Sequence, residues 1–436
     1  MPEQTLTDRL LNVLDALGIE RAHFATQSPG DIASFVEQAP ERVGGVALLA
    51  PPRIDPLAFA PLAERLLYIA PSGGTLSRTA KSVLPRLAQA NQSILDGYDA
   101  ESWSDIAAER PDISDLLTQH LSGLEPSRTL TGEDVHGEIA GIRYHVSGNG
   151  PALILTPLAF APSQWQPLLA QLTQRFRVIA LSGPHLGMLA LLEQRAALTG
   201  WQQMCRTIFD ALNTNTGDRI LEVGCGSGAV ARQFINHTGG RNPLTAIDVS
   251  EYLLGEAQLS AAAANIADSV TFEHASAEEL PFDRGTFDAA YTVTVLEECN
   301  AERAVAELVR VVKPGGRIAI IVRAIDLPQW WNMPISSDIR AKIEMPAASV
   351  SANGIATAAI YQVASAAGLK PIRLYPYIVA SEGTAGPVFE FPEAHALAQL
   401  SPDEQAAYQI AKAQAEASDT LFLTRAHHCF IGEVPA

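Results

Sequence analysis

Three glycines at alternate positions, Gly224, Gly226 and Gly228, follow a short apolar run that encloses the acidic residue Glu222. The pattern predicts a buried parallel strand, a tight turn and the start of a helix. Glycine suits the turn because a side chain there would keep a ligand from lying against the backbone. The free amides at the helix N-terminus would face an anionic group. The segment therefore predicts a ligand site at the end of a strand.

Further residues support a nucleotide-like ligand at this turn. The loop reads Gly-x-Gly-x-Gly, which differs from the Gly-x-Gly-x-x-Gly fingerprint of nicotinamide binding. Asp248 closes the next predicted strand and could accept hydrogen bonds from both hydroxyls of a ribose. Residues 273–282 follow the third predicted strand, where an adenine ring would lie, and residues 287–298 contain the fourth strand and its exit.

This ordered set resembles the class I S-adenosylmethionine-dependent methyltransferases over about residues 195–436. The matching motifs are Glu-Val-Gly-Cys-Gly-Ser-Gly from Glu222, Asp248, Ala-Glu-Glu-Leu-Pro-Phe from Ala277, Phe287-Asp, and Val-Lys-Pro-Gly-Gly from Val312. The resemblance implies S-adenosylmethionine as the cofactor. It implies a cofactor site formed by Glu222, Gly224, Cys225, Gly226, Gly228, Asp248, Val249, Ser276, Ala277 and Thr292.

The resemblance also implies a role for each part of this site. Glu222 and the glycines would surround the methionine part of the cofactor, and Asp248 would bind the ribose. Ala277 would meet the adenine edge and Thr292 would lie beside the sulfonium. The family often carries Asp where this chain has Ser276, which is a weaker acceptor for the adenine amino group. Cys225 is expected to be a small apolar filler rather than a nucleophile.

Methyl transfer needs alignment and exclusion of water more than it needs acid–base groups, because the cofactor is already an activated donor. A base is required only if the acceptor is protonated. The candidates for it are Glu297 and Glu298 after the fourth strand and His427 and His428 in the last strand region, and of these we select Glu297 and His428. The alternatives are a solvated loop acid and a histidine packed at a strand end. Candidates for the substrate pocket are His427, which is next to His428, and the adjacent tryptophans Trp330 and Trp331 after the fifth strand. The tryptophans could instead anchor an irregular loop to the core.

Bulk composition limits the class of protein. The chain has 436 residues, a formal net charge of −18 and 47% hydrophobic residues, which predict a soluble globular protein of two or three domains. The acidity argues against nucleic acid or an anionic membrane as a partner. The four cysteines are widely spaced, so we expect no metal site and no disulfide framework. With neither a signal peptide nor a long apolar run in the sequence, a cytoplasmic location is expected.

Strands and helices alternate in the C-terminal part, which predicts an α/β fold with a Rossmann-like seven-stranded sheet. The predicted strands are 219–223, 244–248, 270–273, 287–293, 317–322, 371–377 and 420–434. Ser401-Pro-Asp-Glu404 has the form of a capping box and predicts a helix that runs to about Glu416. The domain boundary is expected near residue 190, with a methyltransferase domain over residues 191–436.

Residues 1–190 resemble an α/β-hydrolase whose two halves appear in inverted order. Thr26-Gln-Ser-Pro-Gly30 is similar to the nucleophile elbow of that fold, with Ser28 at the nucleophile position. Residues 137–187 resemble the beginning of the same fold, and residues 121–136 are a predicted internal linker. Asp99 occurs where the resemblance would place the histidine, so no working triad is expected. Ser28 is then expected to cap a helix.

Three functions remain open from the sequence. The first is S-adenosylmethionine-dependent methyl transfer to a small-molecule acceptor by in-line displacement. The second is a catalytically silent protein that binds the cofactor or its product and regulates or scaffolds a partner. The third is a hydrolase, which the missing triad argues against. The N-terminal domain could also be a dimerisation module, in which two half-folds are completed by a second chain.

Overall fold

The computed structural model describes residues 4–100, 104–124, 128–347, 350–382 and 386–435. The chain forms two compact units, residues 1–190 and 191–436, and each is built on a sheet with helices packed against it. Across the described ranges, no helix combines the length and the apolar character needed to cross a lipid bilayer.

The first unit contains a sheet whose strands come from two separate stretches of chain. Its strands are β1 (Ala22–Thr26), β2 (Val43–Leu49), β3 (Leu66–Gly73), β4 (Asn91–Asp99), β5 (Val135–Ile139), β6 (Ile142–Ser147), β7 (Ala152–Leu155) and β8 (Arg177–Ser182). Their order across the sheet is β4-β3-β2-β1-β7-β8-β6-β5. Within this sheet β6 alone runs antiparallel to its neighbours, β5 and β8. The two halves meet where β1 pairs in parallel with β7, placing Phe24 opposite Ile154.

Helices of the first unit cover this sheet. They are α1 (Leu6–Ala16), α2 (Gly30–Gln38), α3 (Pro56–Phe59), α4 (Gly74–Val83), α5 (Ile106–Glu109), α6 (Ile113–Ser122) and α7 (Gln166–Leu172). The central strands β1 and β2 are buried along their whole length, as expected for a parallel sheet covered on both faces. A further helix, α8 (Gly187–Ala197), contains the boundary between the units.

Two expectations for the first unit need correction. Ser28 does not cap α2, because Pro29 takes the N-cap position and makes no side-chain capping bond. The predicted linker 121–136 includes residues 125–127, which lie outside the described residues. The part around Gly132 is exposed but held in place, since the guanidinium of Arg177 donates to the carbonyl oxygens of Gly132 and Glu133.

The second unit contains a mixed sheet whose parallel strands come first in the chain. Its strands are β9 (Ile220–Val223), β10 (Leu244–Asp248), β11 (Val270–His274), β12 (Phe287–Val293), β13 (Val312–Arg323), β14 (Trp330–Trp331), β15 (Lys370–Glu382) and β16 (Phe422–Glu433). The order is β11-β10-β9-β12-β13-β16-β14, and β15 also pairs with β16. The sheet thus has the seven predicted strands and one more, β14, because Trp330 and Trp331 pair with Thr424 and Leu423 of β16.

Helices of the second unit follow the alternation expected from the sequence. They are α9 (Thr199–Leu212), α10 (Ala229–Thr238), α11 (Glu251–Ala263), α12 (Ala301–Val311), α13 (Ser337–Ile343), α14 (Ala359–Ala366), α15 (Pro387–Ala398) and α16 (Pro402–Ala417). The capping box predicted at Ser401 is present: its amide donates to the Glu404 carboxylate at 2.9 Å, and its hydroxyl accepts from the Glu404 amide. This start fixes the helix that returns the chain to β16.

Candidate functional site

The glycine loop joins the end of β9 to the first turn of α10. Gly224, Gly226 and Gly228 all have positive φ, between 53° and 76°, a conformation that other residues adopt only with strain. A side chain at Gly224 would collide with Val295. A Cβ at Gly226 would meet only the Leu192 side chain, at 3.1 Å. Gly226 is therefore the glycine whose backbone is most open to a ligand.

Asp248 holds this loop from the neighbouring strand. Its Oδ2 accepts the amide of Gly226 at 2.7 Å, and its Oδ1 accepts the amide of Ser250 at 2.9 Å. Burial raises the pKa of the Asp248 carboxyl, although these backbone hydrogen bonds oppose the shift. Each carboxylate oxygen has a second lone pair, so Asp248 can bind a ribose hydroxyl and keep the loop in place.

The site lies where the order of the strands in the sheet reverses. From β9 the chain continues to β10 and β11 on one side, and then returns to add β12 and β13 on the other. In parallel sheets, ligands bind at the carboxyl ends of the strands beside such a reversal. Thr292 lies opposite Val223 across this pair of strands, so both strands end at the same crevice.

The polar groups expected to face adenine are at the carboxyl ends of β10 and β11. The side chain of Val249 is 70% exposed, which is unusual for valine, and it directly follows Asp248. Ser276 is exposed, and its hydroxyl accepts the amide of Glu278 at 3.2 Å. The amide of Ala275 donates to the carbonyl oxygen of Asp248. The structure thus brings Ser276 and Ala277 to the same edge of the sheet as Asp248.

The groups expected to face the methionine part are buried. Burial raises the pKa of Glu222 to about 8, and the Tyr291 hydroxyl donates to its Oε2 at 3.1 Å. Burial also raises the pKa of the Cys225 thiol, which leaves it as a protonated apolar side chain, as a filler requires. The hydroxyl of Thr292 is buried and has no hydrogen-bond partner in the described part of the chain.

Helix α8 packs on the glycine loop. The Ser227 hydroxyl donates to Glu193 at 2.6 Å, and Arg232 of α10 forms an ion pair with the same carboxylate. The amide side chain of Gln233 donates to the carbonyl oxygen of Ala196. These contacts attach α8 to the glycine loop and to α10.

Glu297 is the buried acid at the exit of β12. Its side chain is fully buried, its Oε1 accepts the amide of Arg323 at 2.6 Å, and the guanidinium of Arg323 lies 3.6 Å away. Burial raises the pKa of Glu297 to about 7, against the influence of Arg323. Within the described residues its Oε2 has no hydrogen-bond partner. A carboxylate with one free oxygen and a pKa near neutrality suits a general base. Neighbouring Glu298 is mostly exposed.

The two histidines of β16 have different surroundings. His428 is engaged at both ring nitrogens: Nε2 lies 2.7 Å from Asp326, and Nδ1 lies 3.0 Å from the Tyr361 hydroxyl. This geometry favours a structural role for His428, because neither nitrogen is free for an acceptor. His427 is buried, its Nδ1 has no partner among the described residues, and burial lowers its pKa to about 3. His427 is therefore a neutral ring.

The two tryptophans do not form a shared pocket. Trp331 is fully buried between Phe389 and Tyr408, and its indole N–H donates to the carbonyl oxygen of Ile343 at 3.2 Å. Trp330 is half exposed, with the guanidinium of Arg340 lying 4.3 Å from its ring. This packing supports the alternative that Trp331 anchors the loop after β13, and it lends no support to a role in substrate binding.

Several site residues escaped sequence reasoning. Arg195 and Trp201 lie beside His427 in the fold, although more than 200 residues separate them from it in the chain. Thr294, just after β12, has a φ of 56°, a strained value for a β-branched residue and one that is common at functional sites. No local signal marks Arg195 and Trp201, since only the packing of α8 and α9 on the sheet brings them beside His427.

Comparison with known proteins finds methyltransferases. Residues 220–316 match the family model described as a methyltransferase domain. The O-methyltransferase resE of Aspergillus sclerotiorum is 36% identical over 126 residues, which are 29% of this chain and 47% of that protein. The ubiquinone/menaquinone biosynthesis C-methyltransferase UbiE of Brucella anthropi is 34% identical over 111 residues, 25% of this chain and 42% of that protein. The chain thus spans less than half the length of these curated relatives.

A solved structure of a geranyl diphosphate methyltransferase in complex with SAM has 17% sequence identity and a TM-score of 0.33, over 53% of this chain and 84% of that chain. The segment matched by the family model lies wholly within the second unit and contains the glycine loop and Asp248. The sequence matches thus place the similarity to methyltransferases within the second unit, where the sequence motifs predicted it.

Proposed function

We propose that this protein is an S-adenosylmethionine-dependent methyltransferase that acts on a small-molecule acceptor. The observation that carries the proposal is the hydrogen bond between the Gly226 amide and Asp248, which holds an open backbone turn beside a carboxylate at the strand reversal. A nucleoside joined to an amino acid fits this arrangement: the ribose at Asp248, the adenine at Val249 and Ala277, and the amino acid along the loop.

The residues of the site fit this cofactor on structural grounds. The Thr292 hydroxyl is buried without a partner among the described residues, and Gly226 presents its backbone to the crevice. The ammonium group of the cofactor would pair with the buried carboxyl of Glu222. When bound, S-adenosylmethionine supplies a methyl group that is transferred by in-line displacement.

The chain's own residues align the acceptor and accept its proton. We propose Glu297 as the general base, acting through Oε2, because its Oε1 is already held by the Arg323 amide. His428 was an equal candidate from the sequence, and its contacts with Asp326 and Tyr361 now favour Glu297. The relatives are named as O- and C-methyltransferases, so the receiving atom of this acceptor is open to test.

For the first unit we propose a circularly permuted α/β-hydrolase-like sheet without a working triad. Counted from β5 through β8 and then β1 to β4, the strand order becomes 1-2-4-3-5-6-7-8, with the second strand antiparallel. This order supports the inverted resemblance, because the two halves complete one sheet. They do so within one chain, which removes the reason to invoke a second chain for folding. A homodimer, the cytoplasmic location and the absence of nucleic-acid partners stay predictions.

Calorimetry with S-adenosylmethionine, followed by product detection against a metabolite library, tests the proposal. We expect binding in the micromolar range and a methylated product from at least one acceptor. Binding without turnover across a broad library would favour the alternative, a catalytically silent regulatory or scaffold protein. No heat with either S-adenosylmethionine or S-adenosylhomocysteine would refute both.

A further inference from the structure

A partly buried cation, Arg195, lies near the proposed base and forms no ion pair with a carboxylate among the described residues. The guanidinium of Arg195 stacks on the ring of Trp201 at 4.4 Å, and no hydrogen-bond partner of its Nε occurs among the described residues. Burial lowers the pKa of Arg195 to about 10, and Glu297 is the nearest acid that opposes this shift. A buried charge without a partner is costly, so such a residue is retained for a ligand more readily than for stability.

Two further polar side chains without partners adjoin Arg195. The indole N–H of Trp201 and the Nδ1 of His427 are buried, and neither has a hydrogen-bond partner in the part of the chain that the structure describes. The two rings contact each other edge to face, with centroids 5.4 Å apart. Three adjacent polar groups that all lack partners are typical of a site that is completed by a ligand.

The charges around this group leave a positive excess. The positive charges of Arg425, Arg195 and Arg323 all lower the pKa of His427. Arg323 lies 3.6 Å from each of Glu297 and Glu298, so those acids are already paired. Arg425 donates to the carbonyl oxygen of Val388. Of these three cations, Arg195 is the one whose buried Nε has no hydrogen-bond partner in the described part of the chain.

We infer that Arg195, Trp201 and His427 form a recognition site for a carboxylate on the methyl acceptor. Guanidinium groups bind carboxylates in bidentate fashion, and the indole N–H adds a third donor. The site neighbours the proposed base Glu297, so an acid bound at Arg195 would extend toward it. This inference rests on the proposed function for the reaction, and it adds the class of acceptor.

Binding of matched acid and amide probes tests the inference. The probes are benzoate against benzamide, and indole-3-acetate against indole-3-acetamide, titrated calorimetrically into the full-length protein loaded with S-adenosylhomocysteine. We expect at least one acid to bind about tenfold or more tightly than its amide. Arg195→Met should abolish this preference and Arg195→Lys should keep part of it. Arg206→Met, which removes an exposed cation from α9, should leave the preference unchanged.

Thermal unfolding separates ligand recognition from a structural role. If Arg195 serves a ligand, Arg195→Met should unfold at the same temperature as the wild type or a higher one. Equal binding of acids and amides, or a preference that survives in Arg195→Met, would overturn the inference, as would failure of both acids to bind.

The cofactor's own carboxylate is the other source of the same chemistry, and S-adenosylhomocysteine tests it against 5′-methylthioadenosine, which lacks the amino acid part. Arg195→Met should weaken neither. If it weakened S-adenosylhomocysteine alone, the anion would be the cofactor's and the acceptor assignment would be wrong. If the wild type bound no S-adenosylhomocysteine, the proposed function would fail, and the acid preference could still be measured on the unloaded protein.

Discussion

The Asp248 carboxylate accepts the Gly226 amide at 2.7 Å, and this bond joins the strand that carries the acid to the loop that carries the glycine. One oxygen of Asp248 thus fixes the loop, the other accepts the Ser250 amide, and each keeps a second lone pair that a ribose hydroxyl can use. The bond ties the loop to the acid that we propose for ribose binding, so substitution of either residue should change cofactor affinity.

Asp248→Asn should weaken S-adenosylhomocysteine binding about tenfold or more, because an amide gives up one acceptor and the charge that strengthens its hydrogen bonds. Calorimetry measures the affinity. Asp268→Asn, at an exposed acid outside the crevice, is the matched control and should bind normally. Equal affinities for the two variants would remove Asp248 from the cofactor site.

Gly226→Ala should reduce cofactor affinity by more than its effect on stability explains. The new Cβ would point at Leu192 and into the open side of the loop, where the amino acid part is expected. Gly239→Ala is a close control, since Gly239 has a φ of 62° and no atom near the position of its Cβ. Both variants should lose about 1–2 kcal/mol in the free energy of unfolding. Only Gly226→Ala should lose affinity in titrations.

Glu297→Gln should lower kcat by about 10²- to 10⁴-fold if the acceptor must lose a proton. Burial raises the pKa of Glu297 to about 7, and a base acts in its ionised form. The wild-type rate should therefore rise with pH through about 7 and then level off, and the variant should lose this slope. Glu298→Gln, at the exposed neighbour, should keep both the rate and the pH profile.

The same residue makes a prediction for stability. The pKa of Glu297 is higher in the folded chain than in the unfolded chain. Between about pH 4.5 and pH 7, the folded state therefore binds more protons than the unfolded state does. Ionisation of this group then lowers the free energy of unfolding as the pH rises through that window. Denaturant titrations at several pH values should show a flatter dependence for Glu297→Gln. An unchanged dependence would mean that Glu297 already ionises as in the unfolded chain.

Cofactor binding should release a proton from Glu222 near neutral pH. Burial raises the pKa of Glu222 to about 8, so the group is largely protonated before binding. The ammonium and sulfonium of S-adenosylmethionine favour its ionised form. Calorimetry at pH 7 in buffers of different ionisation enthalpy counts the released protons. Glu222→Gln should release fewer, whereas Glu251→Gln, at an exposed acid of α11, should match the wild type.

Ser28→Ala should leave any hydrolysis of p-nitrophenyl acetate unchanged. The amide of Ser28 donates to the Thr26 hydroxyl, which also accepts from Thr156 at 2.6 Å, so the elbow is held as part of the sheet. Asp99 ends β4, where the resemblance would place a histidine, and it offers no basic ring to activate a serine. Esterase activity that disappears in Ser28→Ala would show a working nucleophile.

The sequence predicted the second unit well where local pattern determines structure. The strands 244–248 and 287–293 agree with β10 and β12 at both ends. The apolar run, the glycines and the following polar turn are all local features, and so is the capping box at Ser401. The pairing of Trp330 and Trp331 with β16 was missed, because it depends on where the chain passes after β13.

The candidate site divides in the same way. The cofactor half, from Glu222 to Asp248, could be predicted because its residues occupy consecutive strand ends. In the proposed acceptor half the sequence identifies His427 but not Arg195 or Trp201, which reach His427 only through packing of α8 and α9 on the sheet. The sequence assigned similar weight to His427 and His428. Successive residues of a strand face opposite sides of the sheet, and only the fold shows which face meets the site.

The pairing of β1 with β7 has a consequence for biosynthesis. Phe24 meets Ile154 in the middle of the first sheet, so a ribosome must add some 130 residues before β1 acquires that neighbour. Until then the nascent chain carries an apolar strand with one edge unprotected, and contacts so distant in sequence form slowly. This unit should therefore depend on chaperones during translation more than a sheet assembled in chain order.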